Sequence, residues 1–175
     1  MKSQYFPVLA TLALAAAATA PAGAVTRSVT SWVPMTNCVQ NTYGGPAVAY
    51  EYKNRGLERR DIYYNGPMYV FCSVNPTGAA TGATSITIYL YQWIAGNGFR
   101  VNCSLVNGVS SAPVFSTKTS AFLPTDGSPV SLTWTPADLG SGTYFPNSIS
   151  SIYCSLYGGE AIEAVAVTYP VEIGN

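Results

Sequence analysis

Paired carboxylates are the one catalytic chemistry this sequence leaves open. Hydrolysis of a glycosidic bond needs an acid and a base or nucleophile facing one cleft. The candidates are Asp126, Asp138, Glu160 and Glu163. Glu160 and Glu163 sit three residues apart in a strand-like segment, so they point to opposite faces. Asp126 precedes Gly127 in a turn, and Asp138 lies in Pro136-Ala137-Asp138-Leu139, which reads as one helical turn that it caps or begins. Each acid thus has a structural explanation. The chain has no histidine, which removes Ser-His-Asp and Cys-His nucleophiles and most zinc sites. There is no phosphate-binding glycine loop with its lysine, no dinucleotide fingerprint and no D-x-D-x-D calcium loop. The sequence therefore reads as non-enzymatic, with no cofactor and no metal.

Four cysteines follow position 24: Cys38, Cys72, Cys103 and Cys154. A metal site needs close pairs such as C-x-x-C, and none occurs. An even count in an exported chain reads as two disulfides, which also argues against a catalytic free thiol. Four cysteines allow three connectivities. The preferred one joins Cys38 to Cys72 and Cys103 to Cys154. It assumes that the N-terminal segment packs beside the Cys72 strand and that the other two strands are adjacent or face each other. Asn102-Cys103-Ser104 matches N-x-S only formally, because a half-cystine in mid-strand makes it a poor glycosylation acceptor.

The remaining chemistry is recognition. In "SITIYLYQWIA", 85–95, Ile86, Ile88, Leu90 and Ile94 fall on one strand face, and Tyr89, Tyr91 and Trp93 on the other. Alternate side chains stand about 7 Å apart, a spacing at which flat rings can stack on successive sugar units. Tyr69 and Phe71 oppose Cys72 in parity, and Tyr153 and Tyr157 oppose Cys154, so the aromatic layer continues if these strands are neighbours. Three covers compete for Tyr89, Tyr91 and Trp93. One is the chain's own loops, such as the long N-terminal segment holding Trp32. The others are a protein partner, or a carbohydrate or cell-surface ligand.

The elements that position these residues are short strands. "VFCSV", "VNCSL" and "IYCSL" place Cys72, Cys103 and Cys154 on apolar faces, and turn signals follow at 75–78, 107–108 and 158–159. Further strands are expected at 47–53, 61–64, 113–117, 130–135 and 161–169. Gly96-Asn97-Gly98 reads as the turn of a hairpin joining the aromatic strand to "FRVNCSL". The charged run from Glu51 to Asp61 around Gly56 reads as a solvated hairpin that protects a sheet edge. No long window shows helical periodicity. The expected fold is all-β, a single antiparallel sandwich of Greek-key or immunoglobulin-like type over 25–175.

Residues 1–24 read as a signal peptide: Lys2, an apolar run from Phe6 to Ala18, and Ala22-Gly23-Ala24 before cleavage. That run is shorter than the roughly 20 residues a span requires, so no transmembrane anchor is expected. The whole chain carries 8 basic and 8 acidic residues, and loss of Lys2 leaves it close to neutral. Such a balance does not favour nucleic acid or anionic membranes as partners.

At "FCSV", "NCSL" and "SSIYCSLYGGEAIEAVAVTY" the chain resembles small, uncharacterised exported bacterial proteins. In these, strands end in Cys-Pro-Leu or Cys-Ser-Leu and a last strand follows a Gly-rich turn. Here Ser73, Ser104 and Ser155 stand where proline is common. The resemblance implies a disulfide-linked β-sandwich and brings no activity or catalytic residues. The expectation is a secreted or periplasmic, non-enzymatic protein with a binding or structural role, its partner a protein or polysaccharide at the cell surface. The alternatives are a small hydrolase inhibitor presenting a loop such as 55–60, and a carbohydrate-binding module using the aromatic strand face.

Overall fold

A computed structural model describes residues 25–40, 50–60, 66–74, 82–94, 100–108, 112–145 and 150–173. The expected leader and the expected strand at 61–64 lie outside them.

The chain forms an antiparallel β-sandwich. One sheet contains β1 (Val25–Val33), β3 (Tyr50–Lys53), β4 (Gly56–Arg59), β6 (Ser85–Gln92), β9 (Val130–Trp134) and β11 (Glu160–Ile173). Its order is β3-β4-β11-β6-β9, with β1 also paired to β11. The other sheet contains β2 (Cys38–Gln40), β5 (Met68–Val74), β7 (Asn102–Asn107), β8 (Val114–Thr119) and β10 (Ser150–Leu156), in the order β2-β5-β10-β7-β8.

Alternation builds the core. Ile86, Ile88 and Leu90 of β6 are fully buried, as are Val70, Cys72 and Val74 of β5 and Ile152, Cys154 and Leu156 of β10. Each such aliphatic contributes about 1.5–3 kcal/mol on leaving water. Trp134 is fully buried and its indole N–H donates to the Ser116 carbonyl, so its polar end is not stranded. Residues 136–139 form the expected helical turn, closed by a capping box between Thr135 and Asp138.

Both expected disulfides form, Cys38–Cys72 and Cys103–Cys154. Each joins directly opposed residues of neighbouring strands, β2 with β5 and β7 with β10, on the inner side of one sheet.

Three expectations need correction. β6 and β7 are not a hairpin: β6 pairs with β11 and β9, and β7 with β10 and β8. Their apolar faces belong to one core from different sheets, and Gly96-Asn97-Gly98 lies outside the described residues. The segment holding Trp32 is a strand, β1, rather than a loop, although Trp32 does lie against Tyr89. The 51–61 run does form an edge hairpin, β3–β4, but its charges are not all solvated. Leu57 and Arg59 share an inward parity and both are fully buried. Arg59 donates to the carbonyls of Gly66 and Leu156, the partners a buried guanidinium requires.

Candidate functional site

The 14-residue strand β11 organises the outer face of the six-stranded sheet. Its register with β6 shifts between Ile162 and Ala164, leaving Glu163 as a bulge. Before the bulge, Ile162 points inward; after it, Val165 and Val167 do. Ala164 and Ala166 therefore turn outward, opposite Tyr89 and Thr87 of β6. On the other side of β11, Ala166 is opposite Trp32 of β1.

The two alanines leave a low floor between taller side chains. Trp32 leans over it, with its ring centroid 5.7 Å from that of Tyr89 at a 40° tilt. Trp32 stays 60% exposed, which is unusual for so large an apolar side chain, while Ala166 beneath is buried. Hydroxyls flank the rings: Thr30 and Thr168 are 3.2 Å apart, and Thr87 and Thr133 are 2.9 Å apart. Each pair uses one hydroxyl hydrogen and keeps capacity for an outside partner.

Tyr89, Tyr91 and Trp93 do not form one continuous face. Tyr89 joins Trp32. Tyr91 is buried, and the Arg55 guanidinium lies 4.3 Å from its ring centroid. Arg55 is held there by donating to Glu163 at 3.0 Å and to the Gly127 carbonyl at 2.6 Å. The Tyr91 hydroxyl donates to Glu58 at 2.6 Å. Burial, then that hydrogen bond to Glu58, raises the Tyr91 pKa. Gly56 makes this arrangement possible, because a Cβ there would fall on the Ile162 carbonyl oxygen. Its absence lets the β3–β4 turn approach the bulge and carry Arg55 over Tyr91.

Trp93 follows the end of β6. Its backbone N–H donates to Gly159, and the residue lines a pocket of about 250 Å³ with Glu51, Lys53, Glu58 and Arg60. Glu51 accepts from Lys53 and Arg60, and the hydrogen bond from Lys53 chiefly lowers its pKa. In the 55–60 segment considered as an inhibitory loop, Arg55, Arg59 and Arg60 are all engaged by the chain's own acceptors.

The four acids singled out from the sequence, Asp126, Asp138, Glu160 and Glu163, do not assemble, whereas Glu51 and Glu58, opposed in the β3–β4 register, share the Trp93 pocket. Glu160 is buried on the inner side of β11 and Glu163 is on the outer side. Asp126 accepts from the Ser128 backbone and Asp138 from that of Thr135, both local caps. Glu160 has one oxygen held by the Tyr157 N–H at 2.6 Å and the other without a partner. Burial raises its pKa to about 7, against the opposing effects of that hydrogen bond and of Arg59. Among the described residues, no group of three or more His, Cys, Asp or Glu side chains could hold a metal ion. No helix among them is long and apolar enough to cross a membrane.

Sequence parity anticipated Tyr89, and the segment holding Trp32 was one of the expected covers of its face; what was not anticipated is that this segment is a strand. Trp32 had no readable strand around it, since β1 is mostly polar and exposed.

No family model matches the chain, and no curated protein matches it. Among solved structures it is similar to the xylan-binding module CBM15, at 15% identity over 84% of this chain and 100% of that one, with a TM-score of 0.52. It also overlays on a CBM4 structure at 12% identity (74% of this chain, 81% of that one, TM-score 0.37). The Agl-KA catalytic domain overlays at 14% identity (87% of this chain, 30% of that one, TM-score 0.37). The last two overlays are too loose to carry weight. The first establishes a shared β-sandwich fold.

Proposed function

We propose that this chain is an exported, non-catalytic polysaccharide-binding protein and that Trp32 and Tyr89 form its contact surface. The observation that carries this reading is the exposed Trp32 ring beside Tyr89, above an alanine floor and between hydroxyl pairs. A pyranose ring has apolar C–H faces and hydroxyl edges. The aromatic rings suit the faces, and the threonines suit the edges. Asp126, Asp138, Glu160 and Glu163 are dispersed as caps and packing partners, and the one facing pair, Glu51 and Glu58, is engaged by Lys53, Arg60 and Tyr91, which supports a role in binding rather than bond cleavage. The cationic leader pattern at 1–24 and the two disulfides support an exterior location.

The module that shares the fold is named for xylan binding, which makes soluble xylan the first ligand to try. Native electrophoresis through gels containing xylan, mixed-linkage glucan or galactomannan tests the reading. At least one polysaccharide should retard the protein. Trp32→Ala should raise the apparent Kd for it about tenfold, the scale of a lost aromatic anchor. Retardation unchanged by Trp32→Ala, or absent with every polysaccharide, would overturn it.

A further inference from the structure

The five-stranded sheet carries its own aromatic layer on the opposite side of the sandwich. β5 and β10 are neighbours, the condition under which the parity of Tyr69, Phe71 and Tyr153 makes one layer, but β6 is in the other sheet. The layer therefore does not continue the Trp32–Tyr89 face and stands apart from it. Tyr69 and Tyr153 stack with centroids 5.3 Å apart and an interplanar angle of 11°. Val39 and Tyr153 flank Phe71 in the pairing register, so an apolar row crosses three strands. Phe115, on β8, is 69% exposed and lies three strands and two residues from Phe71, in the register row of Val106, Ser151 and Ser73, about 16 Å at ordinary strand spacing.

The outward positions of β2, β5, β10, β7 and β8 include no charged side chain; Lys118 of β8 has the opposite parity and turns to Asp138. Exposed sheet faces ordinarily use charge to stay soluble and unpaired. Apart from Val106, opposite Phe115, hydroxyl and amide groups fill the remaining positions. Ser104 and Thr117 are 2.6 Å apart, and Thr119 donates to Asn102 at 2.7 Å. A large self-association interface is more uniformly apolar than this alternation of rings and hydroxyls. The lack of charge matches a neutral ligand, and the interleaved hydroxyls match one that is polar at its edges.

We infer that this uncharged face, centred on Phe71, Tyr69 and Tyr153, is a second binding surface for neutral polysaccharide. It goes beyond the Trp32 reading and stands on separate residues. Two surfaces on opposite sides of one rigid sandwich cannot follow a single straight chain. They would hold two chains together, so the protein would cross-link polysaccharide as a monomer.

The test uses the full mature chain, Trp32→Ala, the double variant Phe71→Ser, Tyr153→Ser, and Phe115→Ser as an edge-strand control less exposed to folding failure. Each is run by gel retardation and by light scattering on mixing with soluble xylan, glucan or galactomannan. The expected result is scattering growth for the wild type, weaker growth for Phe115→Ser, and none for Trp32→Ala or the double variant. Trp32→Ala and the double variant should each still be retarded, with apparent Kd about tenfold higher, and Phe115→Ser should show a smaller rise of the same sign. If Trp32→Ala alone abolishes retardation, this inference fails while the Trp32 reading stands. If the double variant alone abolishes it, the Trp32 reading fails instead. Unchanged binding in both the double variant and Phe115→Ser overturns the second surface. So does sedimentation of the wild type as a dimer that the double variant makes monomeric.

Discussion

Glu160→Gln should make the protein's stability less sensitive to rising pH. Glu160 is buried on the inner side of the sheet beside Arg59, opposite Gln92 in the β6 register, with one carboxylate oxygen unpartnered. Its pKa is raised from an ordinary 4.5 to about 7, mainly by burial. Below pH 4.5 the group is protonated in folded and unfolded chains alike, and no penalty exists. Between 4.5 and 7 the unfolded chain loses the proton while the folded chain keeps it, so stability falls. Above 7 the folded chain carries the buried charge and the penalty is complete. At about 1.4 kcal/mol per pKa unit, the loss is roughly 3 kcal/mol. Glutamine keeps an acceptor for the Tyr157 N–H, adds a donor toward the unpartnered Gln92 oxygen, and does not ionise. Urea unfolding of wild type and variant, followed by tryptophan fluorescence at pH 4, 5.5, 7 and 8, reads the difference directly. Asp126 and Asp138 have lowered pKa values and push stability the other way, but they are common to both proteins and cancel. The stability gap, variant minus wild type, should grow by about 3 kcal/mol across the series. A gap that is constant with pH, or that shrinks as pH rises, would refute this account of the buried carboxyl.

Three further outcomes follow from the packing. Gly56→Ala forces a Cβ into the Ile162 carbonyl and should cost about 3 kcal/mol in urea unfolding, with Tyr91 becoming accessible to chemical iodination as Arg55 is displaced. Loss of either disulfide releases a loop of 34 or 51 residues, so reduction should cost about 4 kcal/mol per bridge, read as the fall in urea midpoint in reductant. Ala166→Glu would raise a charged side chain through the floor between Trp32 and Tyr89. It should abolish the Trp32-dependent part of polysaccharide retardation while leaving the far-ultraviolet circular dichroism of the strands unchanged.

Strand existence was legible wherever apolar residues alternated, because one face of each strand had to be buried. The cysteine strands, β6 and β9 follow that pattern to within a residue or two. What one strand's alternation lacks is the identity of its neighbours. Glycines at 96 and 98 do not say which strands pair, and the long-range pairing of β6 with β11 is what excludes a hairpin with β7. The bulge at Glu163 was also hidden. Strict alternation through "EAIEAVAVTY" sets Ile162 against Val165, and only the extra residue turns both inward and both flanking alanines outward. Arg59 read as solvent-facing because its carbonyl partners, Gly66 past the hairpin and Leu156 far along the chain, are set by the tertiary fold. β1 was unreadable for a different reason: it buries little, so no periodic signal marks it, and Trp32 could be offered only as part of a covering loop, not as a strand residue beside Tyr89.

The contact surface itself is tested most directly by acrylamide quenching of Trp32 in a Trp93→Phe variant. The other remaining tryptophan, Trp134, is sealed in the core, so quenching reports the 60%-exposed Trp32. In free protein the quenching should be strong, and saturation with a polysaccharide that retards the protein should suppress it to near the level of Trp134. Quenching that stays strong at saturating polysaccharide would contradict the claim that Trp32 and Tyr89 form the contact surface.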